Sequence, residues 1–217
     1  MQLGLTEFVS YLATVCTIGV FSTGIPTVLK ITRKGNTNDV SFFPLLAIFC
    51  SCTVWCKYGL LKEDFTIISV NLIGIVAQAI YIFIYYIYTH NRSALHRQLL
   101  IGAGLVFPIL FYIKFHVEDK DTALLHLGIF CCTLNVISYG SPLVAVAEVL
   151  KTRSTETMSF PLVASNFVVS IEWLFYGYLI SDPFIKTPNV LGVILGTFQL
   201  GLFFKFPRKK SSPTSSI

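Results

Sequence analysis

Trp55-Cys56-Lys57-Tyr58-Gly59 opens a stretch that runs through Leu61, Asp64 and Ile67 to Asn71 and Gly74. The stretch is written again as Trp173-Leu174-Phe175-Tyr176-Gly177, through Leu179, Asp182 and Ile185 to Asn189 and Gly192. At an offset of 118, eight of the twenty positions are identical. The matches include Trp, Tyr, Gly, Asp and Asn, not only the aliphatic residues that any two apolar helices share. The copying continues upstream, where Gly24-Ile25-Pro26 answers Gly140-Ser141-Pro142 and Ser41-Phe42-Phe43-Pro44 answers Ser159-Phe160-Pro161. A duplicated apolar unit carrying a duplicated Trp and Asn points to a site shared by two halves of a transporter.

The chain around these copies is 54% hydrophobic and 12% charged, with a mean hydropathy of +0.72. Soluble domains average about 25% charged residues, so an ordinary globular protein is excluded. A membrane-spanning helix needs about 17–25 mostly apolar residues. The apolar runs near 8–29, 43–61, 66–89, 98–113, 123–147, 160–180 and 188–204 predict seven such helices, an all-α membrane protein. No basic region precedes the first run, which reads as a retained helix and not a signal peptide.

The net charge of +5 follows membrane topology, not nucleic acid. Eleven of the 16 Lys and Arg (Lys30, Arg33, Lys34, Arg92, Arg97, Lys151, Arg153, Lys205, Arg208, Lys209 and Lys210) fall on one side of the seven helices. That side is cytosolic by the positive-inside rule, which puts the amino terminus outside or lumenal and the carboxyl terminus in the cytosol. The six cysteines lie in apolar runs without paired Cys-x2-Cys spacing, so they read as small buried hydrophobes, and no metal is expected. No cofactor is expected either, and no His, Cys or Ser constellation suggests an enzyme.

Each copy holds three helices. Two odd-numbered units in direct succession would insert with opposite orientations, and the lone helix near 98–113 restores the parity. The expected domains are a first three-helix repeat over 1–90, a linker helix over 91–117, a second repeat over 118–206 and a disordered cytosolic tail over 207–217.

This 3+1+3 plan, the prolines Pro26, Pro44, Pro142 and Pro161, the two Trp-x-x-Tyr-Gly segments, Asp182-Pro183 and the two asparagines resemble the SWEET family of sugar transporters, within the PQ-loop superfamily. The resemblance runs from about residue 8 to 206. It implies parallel repeats about an axis along the membrane normal. It also implies a facilitative, bidirectional carrier of mono- or disaccharides that needs no coupling ion, is embedded in the lipid bilayer of the plasma membrane or an endomembrane such as the Golgi, and forms a homo-oligomer.

Trp55 and Tyr58 share a helical face, as do Trp173 and Tyr176. An indole offers a sugar a flat apolar surface and one N–H donor, and in the SWEET pattern the two tryptophans face each other across the substrate. Indoles at both positions narrow the pocket and favour a hexose such as glucose over sucrose. Asn71 and Asn189 supply the amide donors and acceptors that replace a sugar's lost hydrogen bonds with water. Each begins a stripe, Asn71-Gly74-Gln78-Tyr81 and Asn189-Gly192-Gly196-Gln199, whose other members also suit helix packing. The four prolines are expected to interrupt helix bonding and, in the family, act as hinges. Tyr58 and Asp182 match the family's extracellular gate. Glu172 fits the pattern worst. It reads as half of an ion pair with Lys57, as an acceptor for sugar hydroxyls, or as a proton-binding group that would couple transport.

Two other classes stay open. A seven-helix receptor would share the topology, but not the duplication. A proton-coupled PQ-loop amino-acid carrier tends to place Gln after its key prolines, where Thr27 and Leu143 stand here.

Overall fold

Backbone groups in lipid have no water to bond, so apolar runs of this length close their hydrogen bonds within helices. The computed structural model describes residues 2–206 and 208; apart from Arg208, the expected tail lies outside them. The helices are α1 (Gln2–Ser22), α2 (Ile25–Lys34), α3 (Phe43–Lys62), α4 (Phe65–Tyr88), α5 (Arg92–Phe115), α6 (Lys120–Ser138), α7 (Gly140–Thr152), α8 (Phe160–Leu179) and α9 (Pro183–Lys205). There is no strand among the described residues.

These helices make seven segments long and apolar enough to cross a membrane, because α1 with α2, and α6 with α7, form single interrupted spans. The all-helical, seven-span expectation holds. Its boundaries shift in places. The fourth helix begins at Arg92, well before the apolar run, because Asn91 caps it by accepting from the Ala94 N–H at 3.1 Å. The first span runs on to Lys34, past a break that hydropathy does not show.

At that break the backbone tightens: the N–H groups of Thr23 and Gly24 donate three residues back, to Val20 and Phe21, at 3.1 and 3.2 Å. In the second repeat Tyr139 donates to Val136 in the same way at 3.2 Å. Pro26 and Pro142 stand just past these two breaks. Pro44 and Pro161 stand in the first turns of α3 and α8, where a missing N–H removes no helical bond. The expectation that all four interrupt helix bonding is therefore corrected for these two. The prolines inside continuous helices are Pro108 and Pro188.

The chain packs as two compact units, residues 1–135 and 136–217, so the division falls within α6 rather than at either end of the linker helix. In the first unit α4 packs against α1, α2 and α3, and α5 lies on α3. Small residues set these contacts. A Cβ on Gly74 would come within 2.6 Å of Cys52 Sγ and 2.8 Å of the Phe21 ring, and one on Gly102 within 3.0 Å of Leu46. In the second unit α8 packs on α9, and Val146 and Val149 of α7 form a core with Met158, Leu202 and Phe206. Here a Cβ on Gly192 would meet Ser170 Oγ at 2.5 Å and Tyr139 Oη at 2.8 Å. Ser170 is the repeat counterpart of Cys52, so both glycines close on the same position of the second span. Large apolar side chains such as Phe8, Tyr11, Phe65, Leu100, Phe107 and Phe204 are exposed, as expected of a surface that lipid covers.

Gly74→Ala should destabilise the protein by about 1–3 kcal/mol through overpacking, read as a lower melting temperature in detergent. Gly104→Ala is the control, since a Cβ there meets nothing within 4 Å. Equal effects of the two would show that Gly74 does not set the approach of α1 to α4.

Candidate functional site

The second and third spans of each repeat form a hairpin, and the repeated motif builds its turn. Glu63 and Ser181, at matching positions, both adopt a left-handed backbone, with φ of 60° and 55°. The Asp64 N–H then donates to the Gly59 carbonyl at 3.0 Å, and that of Asp182 to Gly177 at 2.8 Å. Both bonds reach five residues back and close the helix ends. Each aspartate caps the next helix: Asp64 Oδ1 accepts from the Ile67 N–H at 3.0 Å, and Asp182 Oδ1 from Phe184 and Ile185 at 2.9 and 3.2 Å. A Cβ on Gly59 would lie 3.0 Å from Ile67 Cγ2, and one on Gly177 2.9 Å from Ile185 Cγ2. The Gly and Asp of the motif thus let two helices meet closely around a tight turn.

Above each turn stands an aromatic pair. The rings of Trp55 and Tyr58 meet edge to face with centroids 5.5 Å apart, and those of Trp173 and Tyr176 at 5.6 Å. Both tyrosines are buried, while both tryptophans are half-buried. The edge contact fixes each indole and leaves part of it open. Nearly two turns into the following helix, Asn71 Nδ2 donates to the Ile67 carbonyl at 2.8 Å, and Asn189 Nδ2 to Ile185 at 2.7 Å. These bonds orient the two amides and use one of the two N–H donors on each. Each hairpin therefore carries a held indole on one helix and a held amide on the other, built alike in the two copies.

Polar residues outside the motif complete the picture. Trp55 Nε1 donates to Asn135 Oδ1 at 3.4 Å; Asn135 was not singled out in the sequence, although an amide within an apolar span was a signal for it. The two breaks are each pinned by a tyrosine. Tyr81 donates to the Phe21 carbonyl at 3.3 Å, and Tyr139 to the Pro188 carbonyl at 2.7 Å. Tyr139 was missed because its counterpart, Thr23, carries no ring. Among the stripe residues, Gly74, Gly192 and Gly196 serve helix approach, and Gln199 Nε2 lies 3.9 Å from Met158 Sδ in the core of the second unit.

Glu172 is buried in α8 beside Trp173, Tyr58 is buried in the first unit, and Asp182 is fully buried in the second. Lys57 lines an open groove of about 390 Å³ at the ends of α3 and α5 and the start of α6, with Glu63, Lys114, Glu118, Asp119 and Lys120. There Lys120 donates to Glu63 at 2.7 Å. That hydrogen bond and the ammonium charge hold the Glu63 carboxyl below its ordinary pKa, and hydrogen bonds from Thr122 do the same for Asp119. At the other end of the spans, Lys34 pairs with Asp39 and lowers its pKa likewise. Among the described residues no group of three His, Cys, Asp or Glu could hold a metal ion.

Comparison with known proteins agrees with this geometry. A family model described as a sugar efflux transporter for intercellular exchange matches twice, over residues 7–93 and 125–211. The sugar transporter SWEET1 of Drosophila pseudoobscura pseudoobscura is 37% identical over 95% of this chain and 92% of its own. That of Rattus norvegicus is 34% identical over 94% of this chain and 93% of its own. The 3.7 Å structure of a eukaryotic SWEET transporter superimposes with a TM-score of 0.83 at 26% identity, covering 92% of this chain and 97% of that one. With the motif built twice and matched along nearly its whole length, the chain belongs to the SWEET family of sugar transporters, membrane carriers and not enzymes.

Proposed function

We propose that this carrier is a facilitative, bidirectional uniporter for hexoses such as glucose, working by alternating access between its two three-helix repeats. The observation that carries this reading is the duplicated pair of a half-open indole and an oriented amide. A sugar ring presents C–H groups on its faces and hydroxyls at its edge. Trp55 and Trp173 supply the flat apolar surfaces, and Asn71 and Asn189 the donors and acceptors that offset desolvation of the hydroxyls. Indoles at both positions favour the smaller sugar. No covalent step and no ion is required, since the sugar gradient supplies the driving force.

The conformational parts follow from the same reading. The tightened breaks beside Pro26 and Pro142 supply the hinges, with Pro44 and Pro161 starting the helices that move with them. Tyr58 and Asp182 form the outer gate. Asp182 also caps α9 through Oδ1. Glu172 serves structure or sugar contact rather than proton transfer. The carrier sits in the plasma membrane or an endomembrane, amino terminus outside or lumenal, as a homo-oligomer.

Trp173→Ala should abolish hexose uptake at matched surface expression, and Trp55→Ala should reduce it at least tenfold. Unchanged uptake in both would return the indoles to a packing role.

The two roles of Asp182 separate by substitution. Asn caps a helix nearly as well as Asp, whereas Ala loses about 1 kcal/mol. Asp182→Asn should keep the melting temperature and alter transport; Asp182→Ala should lower both. A fully active Asp182→Asn carrier would show that the residue only caps.

Coupling is tested with radiolabelled glucose in cells lacking their own hexose carriers. Accumulation should stop at the outside concentration and be insensitive to a protonophore. Concentrative uptake that collapses with the proton gradient, and is lost in Glu172→Gln while exchange persists, would overturn the uniporter reading.

A further inference from the structure

The joint in the first span carries something that its counterpart lacks. Gln78 of α4 is 2% exposed, and its Oε1 meets no hydrogen-bond donor. Its neighbours along the helix locate it. One turn earlier Gly74 closes on Phe21 and Cys52, and about one turn later the Tyr81 ring lies against Gly24 while its hydroxyl bonds the Phe21 carbonyl. Gln78 therefore stands on the strip of α4 that faces the end of α1 and the break before α2.

A buried carbonyl deprived of a donor is a standing cost, larger than the gain from an ordinary hydrogen bond. Packing does not demand it. The repeat counterpart of Gln78 is Gly196, where α9 closes on Phe167 with a would-be Cβ at 2.9 Å and no polar group at all. The break that this strip faces carries donors of its own. The N–H groups of Thr23 and Gly24 are held only by short-range bonds to Val20 and Phe21, and the Thr23 hydroxyl by Val20 at 2.7 Å. Bonds of this three-residue type have the poorer geometry of the tight helix.

We propose that Gln78 is a positioning residue of the first-span joint. Its carbonyl is unsatisfied in the conformation seen here and is met by a donor released at the break when the joint moves. The amide thereby destabilises this conformation, stabilises the next and speeds the passage between them. The proposal rests on the reading that the carrier alternates between conformations.

The test uses the full-length protein with Gln78→Met and Gln78→Leu, which remove the amide and keep the bulk. Two quantities are read: the melting temperature in detergent, and exchange in liposomes of whichever labelled sugar, hexose or sucrose, the wild type carries. Both variants should melt above the wild type, and their saturating exchange should fall about tenfold. A merely structural amide moves stability and transport in the same direction, so opposite movement is the signature. Melting at or below the wild-type value would show that the amide is already satisfied in this conformation and overturn the proposal. So would unchanged exchange, or failure of both variants to fold. A wild type that exchanges no sugar would sink the proposed function and this inference with it, whereas normal wild-type exchange with unaltered variants sinks the inference alone.

Discussion

Everything in the candidate site depends on how two apolar helices reverse direction without leaving backbone groups bare at the membrane face. An unsatisfied amide there costs several kcal/mol. The left-handed Glu63 and Ser181, the reach-back bonds to Gly59 and Gly177, and the caps from Asp64 and Asp182 provide the solution twice. A turn this tight brings the helices into close contact, which only glycine permits at positions 59 and 177. The indole before the turn and the amide after it are then held in a set relation. The Trp and Asn of each hairpin inherit their placement from a backbone constraint.

The two repeats agree where the hairpin needs them to and differ where the spans bend. Both close a glycine, Gly74 or Gly192, against the same position of the second span, Cys52 or Ser170, yet the tyrosine that pins the joint comes from the third span in one repeat and from the joint itself in the other. Gln78 answers Gly196 across the duplication, and Asn135, which holds Trp55, answers Gly19. A carrier's two joints need not have equal stiffness, and the polar groups around them diverged.

The pairs Lys34–Asp39 and Lys120–Glu63 lie at the ends of the spans and are well exposed, so solvent screens them and they contribute little to stability. They tie neighbouring helix ends together instead, Glu63 at the end of α3 to Lys120 at the start of α6. Their carboxylates, depressed in pKa, hold these ties from neutral pH down to below the ordinary carboxylate range, where protonation releases them.

The sequence alone determined the class of fold and the family. Hydropathy counts helices because lipid forces long apolar runs to be helical, and the offset of 118 showed the duplication because Trp, Tyr, Gly, Asp and Asn do not recur by chance in aliphatic sequence. It also singled out Trp55, Trp173, Asn71 and Asn189 as candidates, since Trp and Asn are rare enough in such helices to stand out. The tertiary structure decided what single residues do. Asp64 is a helix cap, Pro44 and Pro161 begin helices, and Lys57 lines a groove with the residues between α5 and α6. The breaks at Thr23 and Tyr139, the hold of Asn135 on Trp55 and the unmet carbonyl of Gln78 also appear only there. Periodicity places a residue on a face of its own helix, but hydrogen-bond partners and close approaches come from other helices, whose register no local pattern records.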